Sequence, residues 1–240
     1  NKMKNKNIII VTICARKGSQ GVKNKNIQEI EGKTLISRAI DDAQKLNFNN
    51  QIIFSSDSVN YMNKIADSKK IFKIKRPKKL AEKYVLKWDV FRHIIDEYKK
   101  LTNNLPDILV DLDVGTPFRK ISDIEKCVKL LMKDKKLDCV TTGYESERNP
   151  YFNMVQIKKN GFGKLVCEAS EIITARQRAP KVLSLSPVCF AIRCKSILKH
   201  ANWSKSNFIV HEISRESAID IDTDFDFKIA KLLWTSLKKN

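Results

Sequence analysis

The run from Ile8 to Ala15, IIIVTICA, is almost wholly apolar and β-branched, and it stops abruptly in the loop RKGSQGVKNKN. A short apolar run bounded in this way is a buried strand, which a fold must cover with packed layers. The loop carries Arg16, Lys17, Gly18, Ser19, Gly21, Lys23, Lys25 and Asn26. Glycines let backbone N–H groups close on an anion. Arg neutralises phosphate through forked hydrogen bonds, and Lys does so as a point charge. The pattern therefore presents a polyphosphate to the end of a strand. It has neither the G-x-x-x-x-G-K-[ST] spacing nor the G-x-G-x-x-G spacing of the two common phosphate loops. The competing reading is a plain basic surface loop after a buried strand.

Strand and helix patterns then alternate. Ile36, Ala39, Ile40, Ala43 and Leu46 make a helical stripe, and Gln51 to Ser55 a short strand. Val59 to Ala66 reads as a helix, Ile71 to Ile74 as a weak strand and Trp88 to Tyr98 as a helix. Asp107 to Leu112 and Leu137 to Thr142 are strands around a helix from Ile121 to Met132. This rhythm predicts an α/β fold, a mainly parallel sheet with helices on both faces. Ligands in such sheets sit beyond the C-terminal strand ends, so the loops after Cys14, Ser55 and Leu112 should line one crevice.

From Asn149 the texture changes. Asn153 to Ile157, Gly163 to Cys167, Val182 to Leu185 and Val188 to Arg193 are strand-like, with few helices between them. The division expected is an α/β domain over 7–148 and 186–240, with a β-rich extension over 149–185. A last helix should start after Asp222, capped by Thr223 and Asp226, with Phe225, Ile229, Leu232 and Leu233 as its apolar face.

Forty-six Lys and Arg against 27 Asp and Glu give a net charge of +19. The lysines are spread along the whole chain with no aromatic-interleaved stripe, which argues against a nucleic-acid partner. Attraction of an anionic small substrate is the better use of that charge. No apolar run is long enough to span a bilayer, and no signal peptide is evident, so a cytoplasmic protein without a membrane partner is expected. Six cysteines without a C-x-x-C pair read as reduced, buried residues, and three histidines show no metal spacing.

In the segment AIDIDTDFD, Asp220 and Asp222 lie two apart, so on extended chain they point the same way. Two converging carboxylates repel unless a cation sits between them, and a hard divalent ion, Mg²⁺ by default, suits oxygen ligands. The alternative is a pair of solvated acids ahead of a helix. In LVDLDVGTPFR, a buried strand delivers Asp111 and Asp113 to a turn with Gly115, Thr116 and Pro117.

The loop resembles the A-R-x-G-S-x-G-x-x-x-K-N signature of the cytidylyltransferases that activate nonulosonic acids, the synthetases of CMP-sialic and CMP-legionaminic acid. Ala15, Arg16, Gly18, Ser19, Gly21, Lys25 and Asn26 match it in register. The D-I-D motif matches at Asp220 and Asp222, R-P-x-x-L-A at Arg76 to Ala81, and R-Q-x-x-P at Arg176 to Pro180. The resemblance runs from Ile8 to Leu233 and implies a Rossmann-like fold of the nucleotide-diphospho-sugar transferase type. It also implies CTP and a nonulosonic acid as substrates, Mg²⁺ as cofactor and a homodimer formed by the extension. By the same resemblance, the loop residues and Arg76 hold the nucleotide, Asp220 and Asp222 hold the metal, and Arg16, Lys25 and Asp222 are catalytic.

The chain departs from that pattern at several places. Gln20 replaces a Lys near the triphosphate, with Lys17 or Lys23 as possible substitutes. That motivates an alternative, a catalytically impaired relative that only binds nucleotide. Asp113 stands where many sialic-type relatives carry Gln, and it is assigned either to the sugar hydroxyls or to the metal shell. Lys87 stands where relatives place a small hydroxyl residue and reads as an ordinary solvated lysine. Phe152 replaces a Lys and Phe190 a Tyr. With Arg176, these residues define a sugar side that resembles the legionaminic branch.

Overall fold

The computed structural model describes residues 7–18 and 21–237. In chain order its elements are β1 (Ile9–Cys14), β2 (Glu29–Ile30), β3 (Lys33–Thr34), α1 (Leu35–Gln44), β4 (Gln51–Ser56) and α2 (Val59–Asn63). There follow β5 (Ile71–Lys75), α3 (Lys87–Thr102), β6 (Ile108–Asp111), α4 (Ile121–Lys133) and β7 (Cys139–Glu145). The remainder is β8 (Val155–Ile157), β9 (Gly163–Leu165), β10 (Leu183–Arg193), α5 (Cys194–Lys199), β11 (Phe208–Glu212) and α6 (Asp224–Leu237).

Seven strands form one sheet in the order β11-β7-β10-β6-β1-β4-β5. Strand β1 pairs in parallel with β4 on one side and β6 on the other. β4 pairs in parallel with β5, and β7 with β11. Among the described strands of this sheet, β10 alone runs antiparallel, between β6 and β7. The predicted α/β class with a mainly parallel sheet is the observed one. Strand order reverses across β1, which puts a crevice at the C-terminal ends of β1, β4 and β6.

Alternation along the strands assigns residues to the two faces. Ile9, Val11, Ile13, Phe54 and Val110 pack in the core that includes α1, α4 and α6. Ile10, Ile53 and Leu109 face Trp88, Phe91, Ile94 and Ile95 of α3 in the second core. Thr12, Cys14 and Asp111 continue this α3-side row, which brings polar groups to the top of an apolar layer. Helix α1 buries Leu35 and, of the expected stripe, Ile36, Ala39, Ile40 and Ala43, while Leu46 is buried just past its end; Thr34 caps the helix by accepting from the Ser37 N–H at 3.1 Å.

Three expectations are corrected. The segments Val182–Leu185 and Val188–Arg193 are one strand, β10, interrupted by a bulge between Ser186 and Phe190. The Thr142 hydroxyl bridges that bulge, donating to the Ser186 carbonyl at 2.8 Å and accepting from the Cys189 N–H at 3.1 Å. Helix α6 carries apolar residues on two stripes, and it buries Phe227 and Ala230 rather than the stripe of Phe225, Ile229, Leu232 and Leu233. Its rotation is set by the buried Ile221 before it, whose N–H donates to the Gly115 carbonyl at 2.9 Å. Trp234 then reaches Phe118, with ring centroids 5.4 Å apart, while Phe225 stays 70% exposed. Lys87 is the third correction and belongs to the site.

Strands β8 and β9 form a separate antiparallel hairpin inside the segment expected as an extension, and Val155, Ile157 and Phe162 on it are exposed. The chain rejoins the large sheet at Leu183. The ribbon of β2 and β3, helix α5 and strand β11 were not anticipated.

Candidate active site

Strand β1 ends at Cys14, and the chain turns out over the crevice. The buried Ala15 donates its N–H to the Ser55 carbonyl at 3.0 Å, tying the loop to β4. Gly18 adopts φ +83°, in the left-handed region. Buried Asn26 donates to the Arg16 carbonyl at 3.0 Å and closes the loop on itself. The Arg16 guanidinium donates to the Glu82 carbonyl at 3.0 Å. Arg76 is buried and donates to the hydroxyl and carbonyl of Ser55 at 3.2 and 3.1 Å. Ser19 and Gln20 lie outside the described residues.

Two adjoining cavities share Cys14, Arg16 and Asp113. One, of about 240 Å³, also has Arg76, Val85 and Lys87 on its walls. The other, of about 380 Å³, adds Gly21, Lys25, Asn26 and Asp222. The loops after β1 and β6 line them as expected. The loop after β4 lies alongside, with Asp57 accepting the Lys17 N–H at 2.7 Å.

The carboxylates converge at the turn after β6. A β-carbon at Gly21 would overlap the Asp222 carbonyl oxygen, so the loop after β1 packs backbone against backbone on the D-I-D segment. A β-carbon at Gly115 would strike Asp220 Oδ1, with Lys25 Nζ at 3.1 Å and Asp113 Oδ1 at 3.3 Å. Lys25 also pairs with Asp222 Oδ1 at 3.1 Å. Lys87 is no solvated lysine. Its ammonium sits 2.6 Å from the fully buried Asp111 and 2.7 Å from Asp113. The Thr12 hydroxyl donates to the second oxygen of Asp111 at 2.8 Å. Four carboxylates, Asp111, Asp113, Asp220 and Asp222, thus face the two ammonium groups of Lys25 and Lys87.

These contacts split the titration of neighbouring acids. Burial pushes Asp220 up to about 6, and the charges of Asp113 and Asp222 add to that. Burial acts on Asp113 in the same direction, but the Lys87 charge and hydrogen bond outweigh it and hold Asp113 at about 2. Burial disfavours a charged Lys87, yet Asp111 and Asp113 overcome this and raise it. Cys14 is pushed up to about 12 by burial and then by Asp111, so its thiol is no nucleophile.

A divalent cation fits this donor set. Asp220 Oδ1 is buried without a hydrogen-bond partner, and the cluster carries two more negative than positive groups. Among the described residues, no group of three or more His, Cys, Asp or Glu side chains forms a closed metal cage. Magnesium commonly takes only one or two carboxylates and completes its shell with substrate phosphates and water.

The sugar-side residues are dispersed in a single chain. Phe152 is half-buried in the turn after the buried Asn149. Arg176 is exposed and donates to the Ser146 carbonyl at 2.8 Å. Phe190 lies beside Trp203, with centroids 6.2 Å apart, in a pocket of about 220 Å³ that it shares with Lys87. A larger cavity of about 560 Å³ opens at Asp220 between Tyr144, Ser186, Pro187 and Arg215. Sequence reasoning missed Lys87 and Gly115. A lysine as the first residue of a helix opposes the macrodipole, and that was the available signal of an acidic partner.

The switch-point crevice thus holds a glycine loop, the buried Arg76 and converging carboxylates, groups suited to an anionic nucleotide and a cation. Residues 9–159 match the cytidylyltransferase family model, and the chain belongs to that family. It is 31% identical over 227 residues to post-translational flagellin modification protein B of Campylobacter coli, covering 94% of each. Identity is also 31% to CMP-N,N'-diacetyllegionaminic acid synthase of Campylobacter jejuni, again over 94% of each. An N-acylneuraminate cytidylyltransferase of Escherichia coli is 24% identical over 92% of this chain, which spans 51% of that protein. Among solved structures, CMP:2-keto-3-deoxy-manno-octonic acid synthetase complexed with CTP shares the fold. Its TM-score is 0.69 at 14% identity, with 95% of this chain and 99% of that one covered.

Proposed function

We propose that the enzyme transfers CMP from CTP to the anomeric hydroxyl of a nonulosonic acid, preferring a legionaminic-type acid, and releases pyrophosphate. The hydroxyl oxygen attacks the α-phosphorus, the bond from that phosphorus to the bridging oxygen breaks, the bridging oxygen leaves with its electron pair as part of pyrophosphate, and the hydroxyl proton passes to solvent water. The observation that carries this reading is the backbone contact of Gly21 on Asp222, which makes the phosphate loop and the carboxylates one site. Arg16, Lys25, Ser19 and the loop N–H groups hold the triphosphate, and Arg76 closes the nucleotide end. Asp220 and Asp222, with Asp113 at their side, would hold Mg²⁺, which would supply charge neutralisation of the phosphates and acidification of the hydroxyl. The protein's part is positioning and charge neutralisation, with no covalent nucleophile.

The preference for a legionaminic-type acid rests on the relative from Campylobacter jejuni and on Phe152 and Phe190. Aromatic faces favour a methyl-ending, acylamino-substituted acid by roughly 25 cal/mol per Å² buried. They offer no partner to a glycerol-like tail, whose unpaired hydroxyls are costly when buried. The segment 149–185 pairs two copies into a homodimer, as its exposed Val155, Ile157, Phe162 and Ile172 suggest. Among the described residues no helix is long and apolar enough to cross a membrane. The test is pyrophosphate release from CTP with legionaminic, sialic, pseudaminic and octulosonic acids in parallel. The expected result is a kcat/KM for the legionaminic-type acid about tenfold or more above that for N-acetylneuraminic acid. Equal use of both acids removes the sugar assignment, and no turnover with any acid leaves the impaired alternative.

A further inference from the structure

Two departures from the family pattern, Lys87 for a small hydroxyl and Asp113 for an amide, touch each other in the structure at 2.7 Å. They stand 26 residues apart in the sequence. We infer that Lys87 is a positioning residue, which holds Asp113 by Oδ2 so that Oδ1, which also accepts the Gly115 N–H, faces Asp220 at the cation seat. The inference rests on the cation and triphosphate meeting at Asp113, Asp220 and Asp222.

The geometry is specific. Lys87 engages Asp113 through Oδ2, and the Gly115 N–H donates to Oδ1 at 2.9 Å. That leaves Oδ1 over Gly115, on the side where Asp220 Oδ1 lies. Lys87 is itself held by Asp111, which is fully buried and fixed in turn by the Thr12 hydroxyl. The chain of support therefore runs from two sheet strands through one ammonium to one carboxylate. Without Lys87, Asp113 would keep only the Gly115 N–H on Oδ1, and Oδ2 would lose its partner. With Lys87 bonded to one oxygen, Asp113 presents the other at a fixed angle. A neutral hydroxyl and amide pair has no such charge to hold, so the two replacements form one device.

The test separates this role from simple neutralisation of Asp111. K87M alone strands a buried carboxylate, so the informative variant is K87M/D111N, in which the Thr12 hydroxyl still has an oxygen to donate to. The probe is Mn²⁺ bound to the enzyme–CTP complex, titrated by electron paramagnetic resonance without a sugar acid. K87M/D111N is expected to fold; its CTP affinity without metal is measured first as the reference, and Mn²⁺ binding to its CTP-saturated complex should be weaker by about 10- to 100-fold. In turnover kcat should fall while KM for CTP holds, and adding D113N should cost little more. K87R provides the second measurement if the double variant does not fold. It keeps the positive charge but shifts the donors, so it should weaken Mn²⁺ as well. Mn²⁺ binding at wild-type strength in either folded variant overturns the positioning role. Failure of the wild-type CTP complex to bind Mn²⁺ overturns the reading of the site as well.

Discussion

Gly21 and Gly115 carry no functional group, yet they set how near the charged groups can come. At Gly21 the neighbour is a backbone carbonyl, which has no rotamer through which to yield. Gly21→Ala is therefore expected to separate the phosphate loop from Asp222 and lower turnover by about 100-fold or more, by analogy with loss of a charge-stabilising group. Pyrophosphate release checks this, and near-normal turnover would mean the two segments need not touch. Asp220 is the contrasting case, because its charge is disfavoured by burial and by two neighbouring acids. Asp220→Asn removes that repulsion, so without metal the variant should melt no lower than the wild type. Its turnover, like that of Asp222→Asn, should fall about tenfold or more, a factor worth roughly 1.4 kcal/mol. Full activity of either variant in saturating Mg²⁺ removes the cation role. Charge and close approach thus work against stability here, as is common where a site holds like charges together.

Among the elements, α6 shows how a short anchor selects one face of a helix. Its N-terminus carries the expected box. Thr223 Oγ1 accepts the Asp226 N–H at 3.2 Å, and Asp226 accepts the Thr223 N–H at 2.7 Å. Thr223→Ala should cost about 1 kcal/mol in urea unfolding. Phe227 is the residue that the anchor turns inward, so Phe227→Ala should cost about 3–5 kcal/mol. Phe225→Ala should change stability by less than about 0.5 kcal/mol. The reverse order of the two phenylalanines would mean that α6 is rotated. Strand β10 makes the same point, since its bulge turns two apparent strands into one and delivers Phe190 opposite Asp111.

For the whole molecule, the unanswered demand is the apolar surface of the extension. Ile157 is 66% and Phe162 70% exposed on a hairpin of only two short strands, which has little stability on its own. A second copy of the chain is the proposed cover. Ile157→Asp with Phe162→Asp should then give a monomer in sedimentation velocity while the α/β core keeps its melting temperature. A wild-type chain that sediments as a monomer refutes the dimer directly.

Local signals in the chain determined β1, the alternation of strands and helices, the phosphate loop, the D-I-D pair and the cap of α6. Each is written within a few residues, where periodicity, glycine and spacing act directly. What only tertiary structure decided depends on partners remote in sequence. Lys87 looked solvated because its two carboxylates lie at the end of β6 and in the turn after it, 24 and 26 residues away. The inward face of α6 was open to choice because both stripes are apolar, and a hydrogen bond to Gly115 chose between them. Strand β11 was missed because its five residues carry no buried alternation and gain their place only by pairing with β7.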